Sequence, residues 1–347
     1  MKRIILIAAL ALPAWMSAQE KLADPQAKPA PDQTKEAQAV SSKREEAMKA
    51  RPDDEALMPN LSRSPTGYVE DAAVGTMVRV RFDAGFDMTA PDRAEFFYGK
   101  CGCYRTLGLD PNASGPGAVI VTKLRFQEAH VDLEYALAHR FSLFVDGSGR
   151  SIQPQAGTGA LFGSQTGSGD LQAGFKFAPL ASRDGYLTFQ LRAYMPTGNS
   201  LLGLGTGHYS IEPALLFTRR VTPAIALSGQ FSVWHPVGGS SAVPVNASQS
   251  FAGNVLTFGA GVSRRFLLAE NLRVAPVFEL VGWSIRSGYG TLISGPASAS
   301  GDNIVNAKLG ARIFVERRSS IYVGFGRQLS HVGWYRDFFR VEYAHVF

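Results

Sequence analysis

The sequence predicts an all-β protein: a transmembrane, antiparallel, up-and-down barrel of about twelve strands. Three observations carry this. Segments of about ten residues alternate apolar and polar side chains with period two; the connections between them alternate long and short; and the last segment alternates up to a terminal aromatic, Phe347. Composition agrees, with 36 glycines among 347 residues, 11% aromatic residues and only 18% charged ones. That profile suits many strands joined by glycine-rich turns and does not suit a helical enzyme.

The chain starts with Lys2 and Arg3, an apolar run from Ile4 to Ala14, and Met16-Ser17-Ala18. This is the pattern of a secretory signal over residues 1–18, with cleavage expected after Ala18. Its apolar core is too short to be retained as a spanning helix, and no later stretch reaches the ~20 apolar residues that such a helix needs. A mature chain in a membrane must therefore be a closed sheet, because hydrocarbon leaves no other way to satisfy every backbone group. The net charge of +6 is scattered rather than clustered, so no nucleic-acid footprint is expected.

Residues 19–72 hold Pro25, Pro29, Pro31, Pro52, Pro59 and Pro65 in an Ala-, Gln-, Lys- and Glu-rich stretch. Little apolar surface is available there to offset ordering entropy, so a disordered or partly helical periplasmic tail is expected. A plug folded into the lumen is the alternative. The barrel is then assigned to residues 73–347.

From Val74 the alternation begins. Val78, Val80, Phe82 and Phe86 interleave with Arg79, Arg81 and Asp83; Val131, Leu133 and Tyr135 interleave with His130, Asp132 and Glu134. The same pattern places Lys176, Gln190, Arg192, Ser228, Gln230, Arg273, Glu279, Lys308 and Arg312 opposite apolar neighbours. Leu124 and Phe126 share a parity with the polar set, which predicts a bulge near 127–129 or a strand end beyond the bilayer. Long connections are expected near 87–118, 151–168, 197–206, 237–253 and 286–303. Short ones are expected near 138–140, 179–185, 219–223, 267–271 and 316–320. An even strand number with both ends on the short-turn side follows.

The closing segment, RDFFRVEYAHVF, sets Phe339, Val341, Tyr343 and His345 on one face. It resembles the terminal strand of bacterial outer-membrane barrels, which implies Gram-negative outer-membrane placement and an assembly signal at Tyr343 and Phe347. The partners implied are the outer-membrane lipid bilayer and the barrel-assembly machinery.

Three places could carry chemistry. Cys101 and Cys103 lie one residue apart in the longest loop, and a strained disulfide is the first expectation in an exported chain, with free thiols or metal ligation as alternatives. In GTGHYSIEP, His208, Ser210 and Glu212 share a polar face. A Ser beside a His suits nucleophilic hydrolysis when a carboxylate orients the imidazole, and the pair resembles that of the outer-membrane phospholipases, where it faces lipid. Here the apolar residues take the other face, so a polar lumen lining is the stronger reading. Finally, the inward set mixes charge signs, which predicts neither anion nor cation selectivity.

GDLQAGFKFAP from Gly169, YMPTGN from Tyr194 and GTGHYSIEP from Gly205 together resemble the outer-membrane family named for the MetA pathway of phenol degradation. The resemblance implies a transporter-like barrel, in some members linked with aromatic compounds. The expected function is passive diffusion of a small-molecule solute, hydrophobic or aromatic ones included, past lumen residues His208, Ser210, Glu212, Arg192, Lys176, Lys308 and Arg312. No catalytic step, cofactor or metal is expected. A surface lipid hydrolase using Ser210 and His208, or a plugged structural barrel, is the alternative.

Overall fold

In a computed structural model, the structure describes residues 63–88, 123–155, 163–237, 252–269, 271–292, 295–315 and 317–347. The signal, most of the expected tail, and Cys101 and Cys103 lie outside the described residues.

Among the described residues sixteen strands follow one another: β1 (Met77–Met88), β2 (Leu124–Ala138), β3 (Phe141–Pro154), β4 (Gln165–Ser168), β5 (Leu171–Ser182), β6 (Gly185–Met195), β7 (Tyr209–Arg220) and β8 (Ile225–Val237). They continue as β9 (Val255–Arg264), β10 (Phe266–Ala269), β11 (Leu272–Ile285), β12 (Tyr289–Leu292), β13 (Gly295–Ser298), β14 (Asn303–Val315), β15 (Ser319–Gln328) and β16 (Asp337–Val346). β4 and the hairpin β12–β13 decorate the long-loop end, and β10 prolongs β9 along β11. The remaining twelve pair antiparallel with their neighbours and close into a barrel through β1 and β16, in register from Met77↔Val346 to Phe86↔Asp337. Closure leaves no sheet edge in the ring.

The twelve strands, their parity and the two classes of connection match the alternation read from the sequence. Short turns join β2–β3, β5–β6, β7–β8, β10–β11 and β14–β15, and the long connections all lie at the other end. Burial is inverted relative to a soluble protein. Leu133 and Leu215 on the outside are 50% and 49% exposed, while inward Glu279 and Lys308 are 0% and 3% exposed. A surface greasy all round with polar and ionisable groups inside is stable only where the outer solvent is itself apolar.

Two expectations need correction. No bulge occurs at 127–129: β2 alternates without interruption, and its register with β1 and β3 is continuous there. Leu124 and Phe126 share the polar parity because they point inward, where both are buried. The second concerns residues 63–72, assigned to a periplasmic tail. They lie inside the barrel and, with 73–76, form an inserted segment anchored to the wall on many sides.

Candidate functional site

The site is the lumen, and two unlike materials fill it. Towards the short-turn end stands the inserted segment 63–76. Many of its main-chain groups are met by inward side chains of the strands. Glu279 is central: its carboxylate accepts from the backbone amides of Gly67 (3.2 Å), Tyr68 (2.9 Å) and Val69 (2.7 Å), and from the Tyr322 hydroxyl (3.0 Å). Three successive amides around one carboxylate make an anion nest. The amides of Glu70 and Gly75 donate to Gln230 and Glu134. The segment's carbonyls take cations: Arg312 donates to Pro65 and Thr66, Lys176 to Asp71, and Arg340 to Gly67. Gly67 is required by contact, since a Cβ there would sit 2.2 Å from the Tyr322 ring.

The segment's own acids are held ionised. Burial pushes the Glu70 carboxyl up, but the Arg192 guanidinium at 2.8 Å, with Arg79 and Lys176 beyond it, outweighs this and holds it well below the usual carboxylate range. Asp71 likewise resists burial, held low by Arg63, Lys176 and the amides of Ala73 and Ser64.

Towards the long-loop end the inward positions turn apolar. Leu124, Phe126, Trp234, Ile285, Trp334 and Phe338 belong to one buried cluster. Between this cluster and the inserted segment lies a cavity of about 220 Å³. Its floor carries Tyr68 and Glu70, one side is aromatic with Phe126, Trp283, Tyr335 and Phe338, and the other carries polar groups such as His130, Glu212 and Thr257.

All seven lumen residues named from sequence face inward, but they do different things. Lys176 bridges Glu134 (3.0 Å) and the segment, Arg192 pairs with Glu70, and Arg312 pairs with Glu342 (2.8 Å) while holding the segment. These three are bound up with holding the insert. Lys308 stands in the aromatic wall of the cavity. Ser210 Oγ lies 3.2 Å from His208 Nδ1, yet that nitrogen also lies 3.0 Å from the Tyr209 carbonyl. Glu212 does not complete a triad: its oxygens accept from the Ser232 hydroxyl (2.6 Å) and from the Tyr194 hydroxyl. The Ser–His pair is buried in the lumen, away from any lipid. Tyr343 and Phe347, proposed for the assembly signal, are exposed on the outside and at the strand's end.

Sequence reading missed the residues that matter most in the cavity: Tyr68, Phe126, Tyr335 and Phe338. Phe126 was marked only by its parity, and Phe338 sits in the polar register of β16 beside Arg340.

The residues behind the family resemblance form a clasp. Asp170 accepts from the amides of Gly198 (2.9 Å) and Thr206 (2.7 Å) and from the Thr206 hydroxyl (2.8 Å). Thr197 ties Leu171 to Gly169, and Asn199 caps the short helical turn Ser200–Leu202. The motif thus folds one long loop inward and buries Leu204 in the apolar cluster.

Among solved structures, the barrel is similar to that of an outer-membrane channel from Pseudomonas putida F1, at 14% identity and a TM-score of 0.50, over 82% of this chain and 100% of that one. The NanC porin is similar at 8% identity over 79% of this chain and 100% of that one, with a TM-score of 0.43. The KdgM porin is similar at 8% identity over 78% and 99%, with a TM-score of 0.38. At such identities the likeness is one of fold. No family model and no curated protein matches the chain, so the resemblance read from sequence stands at the level of the barrel.

Proposed function

We propose that this protein is an outer-membrane channel that admits a small solute by passive diffusion from a cavity at its long-loop, outer end. In this reading residues 63–76 form an internal restriction that must shift or part for passage. The observation that carries it is the cavity itself: a chamber with a mixed aromatic and polar lining, floored by a segment that the strand ring does not need for closure. A twelve-stranded ring lies between small barrels filled by their own side chains and wide porins. The lipid-facing band favours membrane placement, and Tyr343 with Phe347 suits recognition by the barrel-assembly machinery.

The test is conductance in planar bilayers of refolded protein against a variant lacking residues 63–75. Small or rare conductance steps are expected from the intact chain and larger, sustained steps from the deletion. Silence from both, with heat-modifiable migration showing folded barrels, would reject a channel.

A second reading, a permanently plugged structural barrel, is favoured by how many wall side chains engage the segment. It predicts the same opening on deletion but no solute flux through the intact protein, so liposome swelling with the intact chain separates the two.

A further inference from the structure

Most cations lining the cavity are paired. Arg340 is bidentate to Asp83 (2.7 Å to each oxygen), Arg150 lies 2.6 Å from Glu128, and Arg192 pairs with Glu70. Lys308 differs. Its ammonium donates to the Tyr335 hydroxyl (3.0 Å) and sits 3.7 Å from the Tyr68 ring centroid and 4.7 Å from that of Phe338. Among the described residues no carboxylate oxygen comes within 4.0 Å of it. Beside it the Tyr68 hydroxyl is buried without a hydrogen-bond partner, and so is the Thr257 hydroxyl elsewhere on the lining.

Aromatic faces offset only part of the cost of burying an ammonium, and a buried hydroxyl without a partner adds its own penalty. One ligand would relieve both: an anion of carboxylate type, which accepts from Lys308 and Tyr68. The same rings offer its remainder an apolar, π-rich surface. Size sets a further limit. An engineered apolar void of about 150 Å³ holds benzene, so the 220 Å³ present leaves room for one ring with a short acidic substituent. We infer that the cavity binds a monocyclic aromatic carboxylate, with the carboxylate at Lys308 and Tyr68 and the ring against Phe126, Tyr335 and Phe338. This rests on the channel reading for its role, since the site lies on the proposed route.

The experiment uses the intact, refolded chain and the quenching of Trp283 and Trp334, whose rings lie 4.8 Å apart in a tilted arrangement beside the site. The probes are benzoate, benzyl alcohol and acetate. Saturable benzoate binding is expected, with benzyl alcohol, which lacks the charge, and acetate, which lacks the ring, each at least about tenfold weaker. Lys308→Met should weaken benzoate by about 10- to 100-fold, and Lys308→Arg should keep most of the affinity. The inference is overturned if benzoate shows no saturable binding, if benzyl alcohol binds as tightly, or if Lys308→Met binds benzoate unchanged. Potassium chloride conductance of the deletion variant is read separately: opening without benzoate binding removes this ligand class and leaves the channel, whereas binding without opening does the reverse.

Discussion

Replacing Glu279 by Gln should loosen the inserted segment without unfolding the barrel. The wild-type carboxylate accepts four hydrogen bonds, two at each oxygen: Tyr68 and Val69 amides at one, Gly67 amide and Tyr322 hydroxyl at the other. A glutamine can keep its carbonyl oxygen on Tyr68 and Val69, and the Tyr322 hydroxyl can rotate to accept from its amide. The Gly67 amide then faces a donor and is left buried. A charge-assisted bond contributes about 1.5–3 kcal/mol, and the two retained bonds weaken as the charge disappears. The closed arrangement should lose about 3 kcal/mol in all, which is roughly a hundredfold in the closed-to-open ratio. Open probability in planar bilayers measures this directly, with heat-modifiable migration as the control for an intact barrel. If the deletion lacking residues 63–75 conducts and Glu279→Gln remains as closed as wild type, the carboxylate nest is not what secures the segment and the assignment fails.

Four other outcomes follow from the same geometry. Gly67→Ala forces a Cβ into the Tyr322 ring, so it should raise open probability in planar bilayers as Glu279→Gln does. Glu70 and Asp71, whose ordinary values are 4.5 and 3.8, are held lower in the fold; their stabilisation is present above those values and lost only as pH falls through the depressed ones. Conductance of the intact chain should therefore stay flat between about pH 5 and 8, and a rise by pH 5 would count against the ion pairs shown. Asp170→Ala removes the acceptor for two amides and a hydroxyl and should cost about 2–4 kcal/mol locally; limited proteolysis should then cut within 196–208 while the barrel core resists. Ser210→Ala should leave lipid hydrolysis at the background of the wild-type protein in a phospholipid assay, because the Ser–His pair faces the lumen.

The strand ring was legible because a barrel writes its facing into every second residue. Val80, Phe82 and Leu133 needed only their parity to be placed outside, and the alternation of long and short connections placed the strand ends. What fills the ring was legible only as one alternative, a plug drawn from residues 19–72, for two physical reasons. The inserted segment binds chiefly through main-chain amides and carbonyls, at Gly67, Tyr68, Val69 and Ala72, and backbone groups leave no mark in a sequence. The cavity's aromatic side is built from inward positions that period two marks simply as not lipid-facing. Phe126 and Phe338 occupy the register of Glu128 and Arg340, so alternation alone reads them as irregularities. His208, Ser210 and Glu212 share one face by parity, but their partners (Tyr194, Ser232 and Trp234) come from neighbouring strands whose registers only the structure supplies.

The mixed charge of the lumen, which argued against any ion selectivity, has a different cause once the insert is in place. A peptide segment without strand partners presents amides and carbonyls in near-equal number, and each buried group needs a complement. Amides call for carboxylates or amide oxygens, as at Glu279, Glu134 and Gln230; carbonyls call for cations, as at Arg312, Lys176 and Arg340. A wall of one sign could satisfy half of the segment and would repel itself over the rest. Both signs at this level are therefore what a backbone-bound insert demands. Where the insert ends and the cavity begins that demand ceases, aromatic residues take over the inward register, and Lys308 is left as the cation that the protein's own backbone does not occupy.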